Sequence, residues 1–140
     1  MQFKIKTNAD KIEKALKRKG KNVKQSLAKA LSITAQQGIN IIEQRTEDGS
    51  GYKGGKFKRY SAKYAKFRKA KGRGSKVDLQ FSGRMLGSMT SKSNSRKATI
   101  FFTRAEEAKK AAMNNKSRPF FGFSRKERGQ LSKVFFRYVK

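Results

Sequence analysis

The 140 residues include 37 lysines and arginines against 9 aspartates and glutamates, a formal net charge of +28 at pH 7. That length suits one domain with a modest core. The charge calls for a polyanionic or acidic partner: nucleic acid first, an acidic protein surface second, and a membrane third, because no apolar run approaches the ~20 residues needed to span one. The chain has no cysteine and no histidine, which excludes disulfides, thiol catalysis and cysteine–zinc sites and removes the commonest acid–base catalyst and metal ligand.

Residues 2–6 alternate, Phe3 and Ile5 against Lys4 and Lys6, and predict a short half-buried strand. They lack the apolar stretch of a secretory signal, so cytoplasmic synthesis is the expectation. Thr7-x-x-Asp10 offers a helix start. A helical period then runs over about 8–46 through Ile12, Leu16, Val23, Leu27, Ala30, Leu31, Thr34, Ala35, Gly38, Ile41, Ile42 and Arg45. Lys14, Lys17, Lys21 and Lys24 fill its polar side, and Gly20 is where it would loosen or break. Unbroken, the helix would span roughly 55–60 Å, more than a globule of this size is wide. It must therefore project, bend or pack on another subunit. Coiled-coil pairing is a weaker alternative, since the heptad phase is not kept.

Residues 47–60 hold four glycines among lysines and read as a flexible loop. A short helix over 61–71, capped by Ser61, carries Tyr64, Ala65 and Phe67, and Gly72-Arg73-Gly74-Ser75 ends it. Across 47–76 stand 11 basic and 2 acidic residues, interleaved with Tyr52, Phe57, Tyr60, Tyr64 and Phe67. Cations among aromatics suit a nucleic-acid groove; a solvated arm that orders on assembly is the plainer reading. The candidate DNA or partner contacts are Lys53, Lys56, Lys58, Arg59, Lys63, Lys66, Arg68, Lys69, Lys71 and Arg73. Glu47-Asp48 reads as a solvated turn, with loose cation binding as the alternative.

Val77 to Phe81 alternates like a strand, and Ser82 caps a short helix over 83–89 with Met85, Leu86 and Met89 on one side. Residues 90–96 read as a polar turn and 97–102 as a buried strand. Thr103-x-x-Glu106 predicts a capping box opening a helix through Met113, with Ala105, Ala108, Ala112 and Met113 as its small apolar face and Asn114-Asn115 as its end. Arg118 to Phe123 is extended and aromatic. Ser124-x-x-Glu127 is a second capping box, before a helix with Leu131, Val134, Phe135 and Tyr138 on one face. The order β-α-loop-(α)-β-α-β-α-β-α predicts one α+β domain over 1–140. A small antiparallel or mixed sheet would pack on one long N-terminal helix and shorter helices, with a flexible basic loop at about 47–76 and an α+β part at 77–140.

No catalytic constellation stands out, and an enzyme is not expected. Gly72-x-Gly74 alone is too weak for a phosphate loop, and zinc-finger and basic-zipper signatures are absent. Any nucleic-acid binding would be electrostatic and sequence-independent. Asp78 pins a backbone turn more readily than it binds a metal. Arg118 would pair with a partner carboxylate or with Asp78, and Phe120, Phe121 and Phe123 suit a core or an interface.

The run Asp78-Leu79-x-Phe81-Ser82-Gly83-Arg84-Met85-Leu86-Gly87-Ser88-Met89, followed by a strand and an alanine-rich helix, resembles the phage virion morphogenesis (tail completion) family. So do Arg118-Pro119-Phe120-Phe121-Gly122-Phe123-Ser124 with the terminal helix, and Phe57-x-x-Tyr60-Ser61-x-x-Tyr64-Ala65 upstream. The resemblance covers about 57–138 by motif and 1–46 by pattern. It implies a head–tail connector in the virion without chemistry or cofactors: a homo-oligomeric ring of six or twelve copies at the neck. Its implied partners are portal and tail terminator or tube proteins and the genomic DNA in the channel. Arg118, Phe120 and Phe121 become candidate assembly contacts.

Overall fold

The computed structural model describes residues 1–18 and 22–139. It is α+β: six helices and a three-stranded antiparallel sheet among the described residues, with one long helix near the N-terminus. Strands β1 (Gln2–Lys6) and β2 (Met89–Ser93) flank β3 (Lys97–Phe102). The register sets Phe3 opposite Ile100 and Ser91 opposite the same residue from the other side. β3 is central because Ala98, Ile100 and Phe102 are all buried, whereas the edge strands keep their lysines in solvent.

The long helical pattern resolves into α1 (Ala9–Lys17) and α2 (Val23–Glu47). Gly20, the expected break, lies outside the described residues. α1 packs against α2 and buries Ala9 and Leu16, which a straight continuation would leave in water. α2, about 37 Å long at 25 residues, is covered by β2, β3, α1 and α6 (Arg125–Tyr138). It therefore does not need another subunit to bury its apolar stripe of Leu27, Leu31, Ala35, Ile39 and Ile42. Gly38 permits the close approach: a Cβ there would lie 2.9 Å from the Phe123 ring and 3.2 Å from Ile100.

Several local expectations change. Residues 77–81 are not a strand, because Leu79 takes a positive φ of 57° that breaks the extension. The short helix is a single turn, α4 (Arg84–Gly87), with Gly83 as N-cap. The polar turn at 90–96 is instead most of β2 plus a tight turn, in which the Asn94 side chain accepts from the Arg96 and Lys97 N–H groups at 2.8 and 2.9 Å. Helix α5 (Ala105–Ser117) passes through Asn114-Asn115 and starts at Arg104 without the Thr103 cap. The Thr103 hydroxyl donates to the Ser88 carbonyl at 3.3 Å instead. Its buried residues are Glu107 and Ala111; of the predicted alanine face Ala108 packs against the core, while Ala105 and Met113 are exposed. The Ser124–Glu127 capping box of α6 forms in both directions, and Leu131 and Phe135 face inward while Tyr138 does not.

Candidate nucleic-acid interface

The glycine-rich stretch after α2 is docked. Tyr52 N–H donates to the Pro119 carbonyl at 3.1 Å, Phe57 N–H to Gly49 at 2.8 Å, and Phe57 is buried. Gly122 leaves room for Tyr52, since a Cβ there would sit 2.7 Å from its ring. Gly51 allows a close backbone approach, since a Cβ there would sit 2.7 Å from the Pro119 carbonyl, while Gly49, Gly54 and Gly55 supply the positive φ that the turn needs.

Helix α3 (Ala62–Ala70) follows, and the Ser61 hydroxyl caps it by accepting from Tyr64 N–H at 3.2 Å. At its inner face the predicted contact Arg68 is buried, with only 2% of its surface exposed. Its guanidinium donates to the Gln80 carbonyl at 2.7 Å and the Gly74 carbonyl at 3.2 Å, and lies 3.5 Å from Asp78 Oδ1. It therefore holds the following turn and cannot reach a partner. Asp78 also accepts from Gln80 N–H at 3.0 Å, so it pins the backbone as expected.

Tyr60 is the junction. Arg68 lies 4.9 Å from its ring centroid and Arg118 5.0 Å, and its oxygen accepts from Leu79 N–H at 3.1 Å. Burial pushes the phenol above its ordinary range, and the Arg68 charge and the Leu79 N–H draw it back in part. Arg118 does not meet Asp78. It donates to the Lys58 and Arg59 carbonyls at 2.7 and 2.9 Å. The left-handed Leu79 is backbone strain held by these contacts, the kind of feature that gathers at functional sites.

Outward from Tyr60 runs an aromatic ladder. Tyr60 meets Tyr64 edge-on at 4.9 Å, Tyr64 stacks on Phe67 at 6.1 Å, and Phe67 stacks on Phe81 at 5.7 Å with planes 19° apart. Tyr64, Phe67 and Phe81 are 37%, 48% and 38% exposed. They are three of the seven large apolar side chains left in solvent among the described residues, gathered in one place. Lys71 lies 5.9 Å from the Phe67 ring and Arg73 5.5 Å from Phe81. A cleft of about 370 Å³ beside the ladder is lined also by Arg84, Lys110, Asn114 and Glu107. Glu107 is buried and paired with Lys110 at 3.3 Å.

Of the predicted contacts, Lys63, Lys66, Lys69, Lys71 and Arg73 are exposed on α3 and the turn after it, and Lys58 and Arg59 are exposed just before it. Lys53 and Lys56 sit apart on the docked glycine turn. Phe120 and Phe121 are buried in the core, so neither presents a surface for assembly. Phe81 and Arg84 were missed: Phe81 reads as a strand residue, and only its place after the Arg68-held turn brings it onto α3. Among the described residues no cluster of His, Cys, Asp or Glu is placed to hold a metal, and no helix is long and apolar enough to cross a membrane. No family model, curated protein or solved structure matches the chain significantly.

Proposed function

We propose that this chain is a structural virion protein of a tailed phage, a tail-completion or neck subunit that forms a ring at the head–tail junction around the DNA channel. The observation that carries the reading is the meeting of the three stretches of the resemblance. Tyr60 from the first accepts from Leu79 of the second and lies under Arg118 of the third. Residues that are far apart in sequence but build one junction behave as a single motif. Charge supports it too: six copies gather roughly +170, which DNA in a channel or acidic neighbouring rings would neutralise. The chain acts by binding, with the portal, the tail terminator or tube, and genomic DNA as partners, and performs no reaction.

Electron microscopy of particles assembled without this chain tests the reading. Filled heads beside separate tails of normal length are expected; normal infectious particles would overturn it. The exposed ladder favours a second reading, a sequence-nonspecific architectural nucleic-acid-binding protein. After nuclease treatment the connector remains a defined ring or stays bound to portal or tail proteins, whereas the architectural protein falls to a lone chain.

A further inference from the structure

We propose that Tyr64, Phe67 and Phe81, with the cations around them, form a binding site for the unpaired nucleotides of a nucleic-acid strand. This goes beyond the connector reading and does not rest on it, because every group belongs to one chain.

The ladder is open to solvent on three rings at once, and aromatic rings are among the side chains with most to gain from burial. Each ring is partly covered by the fold and keeps between a third and a half of its surface in solvent. The cations are placed beside the rings: Lys71 and Arg73 lie within 6 Å of the Phe67 and Phe81 centroids, and Lys63 and Lys66 are exposed on the same helix. A nucleotide carries its phosphate one sugar away from a flat base, so alternating rings and cations match that repeat. Asp78 lies 3.5 Å from the buried Arg68 and Glu107 3.3 Å from Lys110, against the exposed cations Lys63, Lys66, Lys71 and Arg73, so the face is net positive.

The geometry also selects the strand. In a duplex each base face is covered by its neighbours, so exposed rings gain nothing from it and only the cations contribute. An unpaired base offers a free face. Rings 5.7 and 6.1 Å apart leave no room to insert a base, which needs about 7 Å, twice the 3.4 Å stacking step. Bases therefore cannot enter the ladder and meet it at its exposed edges and at the end ring Phe81, where Arg73 lies 5.5 Å from the centroid. An acidic peptide would satisfy the cations but has no reason to need flat, parallel ring faces.

Fluorescence anisotropy with labelled oligothymidine and oligouridine of about 12 nucleotides, within the usual site size, and with a duplex of equal length tests this. The double variant Phe67→Ala, Phe81→Ala should lose on the order of ten-fold or more in affinity for the single strand and stay within about two-fold for the duplex. An equal loss for strand and duplex, no loss for either, or an equal loss for polyglutamate would overturn the proposal. Photo-cross-linking of the unaltered protein to an iodouracil-containing strand gives a check that does not depend on the variant folding. Cross-links at Tyr64, Phe67 or Phe81 are expected, and cross-links confined to other surfaces refute the site.

Discussion

Replacing Arg68 with alanine should destabilise the protein far more than replacing its lysine neighbours on α3. Its guanidinium donates to two buried-side acceptors, the Gln80 carbonyl at 2.7 Å and the Gly74 carbonyl at 3.2 Å. Bonds from a charged donor contribute about 1.5–3 kcal/mol each. The shorter one belongs at the upper end and the longer at the lower. The Asp78 pair, at 3.5 Å, is too long to add much. The loss should therefore be about 3–5 kcal/mol, against changes within about 0.5 kcal/mol for the exposed Lys66→Ala and Lys69→Ala. Arg68→Lys should not rescue, because one ammonium lacks the fork that spans two diverging carbonyls. Urea unfolding gives the free energies, and hydrogen exchange at the Leu79 and Gln80 amides reports the turn itself. An Arg68→Ala protein within about 1 kcal/mol of Lys66→Ala, with both amides still protected, would refute the assignment of Arg68 as the anchor.

Arg45 bonds the Phe120 and Gly122 carbonyls and pairs with Glu127. Arg45→Met should thus cost about 3–5 kcal/mol in urea unfolding, part of it recovered by adding Glu127→Gln, which removes the stranded charge. Gly38→Ala should lower stability by about 1–2 kcal/mol, since the new methyl meets Phe123 and Ile100. A gain of about 1 kcal/mol, the ordinary result at an exposed helical glycine, would show that α2 stands off the sheet. Glu43 has its pKa raised above 4.5 by burial and then by Glu47. The folded state therefore holds this proton more tightly than the unfolded chain, and stability falls as pH rises from about 4.5 through the raised value. Glu43→Gln should stabilise at pH 7, with the gain vanishing on acidification below 4.5; a pH-independent gain in urea unfolding would contradict this origin.

What was legible in the sequence was whatever announces itself over a few neighbours. The alternation of Phe3 and Ile5, the continuous Ile100-Phe101-Phe102 and the Ser124–Glu127 box each specify one local geometry, and all three appear. The misreadings have distant causes. Thr103 and Ser124 open the same four-residue pattern, but Ser88, the residue between α4 and β2, offers its carbonyl to Thr103, which bonds there instead of capping. Thr90 to Ser93 has no apolar alternation and is a strand only because β3 pairs with it. Asn115 looked like a stop, yet its side chain accepts from Phe120 and Phe121 N–H at 3.1 and 3.0 Å, fastening the next segment from inside the helix. In the candidate site, the sequence shows ten similar cations without distinguishing the buried one. That distinction required Gly74 and Gln80 to return against α3.

Those arginines share a habit that follows from having so few acids. Arg45 donates to Phe120 and Gly122, Arg68 to Gly74 and Gln80, and Arg118 to Lys58 and Arg59, each time to two backbone carbonyls. Carbonyl dipoles satisfy guanidinium donors but cancel no charge. The ion pairs among the described residues engage Asp10, Glu13, Asp78, Glu107 and Glu127, far too few to balance a net +28. The short-range guanidinium bonds, part-buried at Arg45 and Arg68, are screened less than the long-range repulsion among exposed lysines that opposes the fold. Raising sodium chloride from about 0.05 to 0.5 M shortens the screening length to a few ångströms and should raise the melting temperature by roughly 2–4 °C for each kcal/mol of repulsion removed. A short polyanion should do the same at far lower concentration, because it binds the folded surface. A melting temperature that falls with chloride would mean that exposed pairs such as Arg96–Asp10 outweigh the repulsion, and the need for an anionic partner would lose its physical basis.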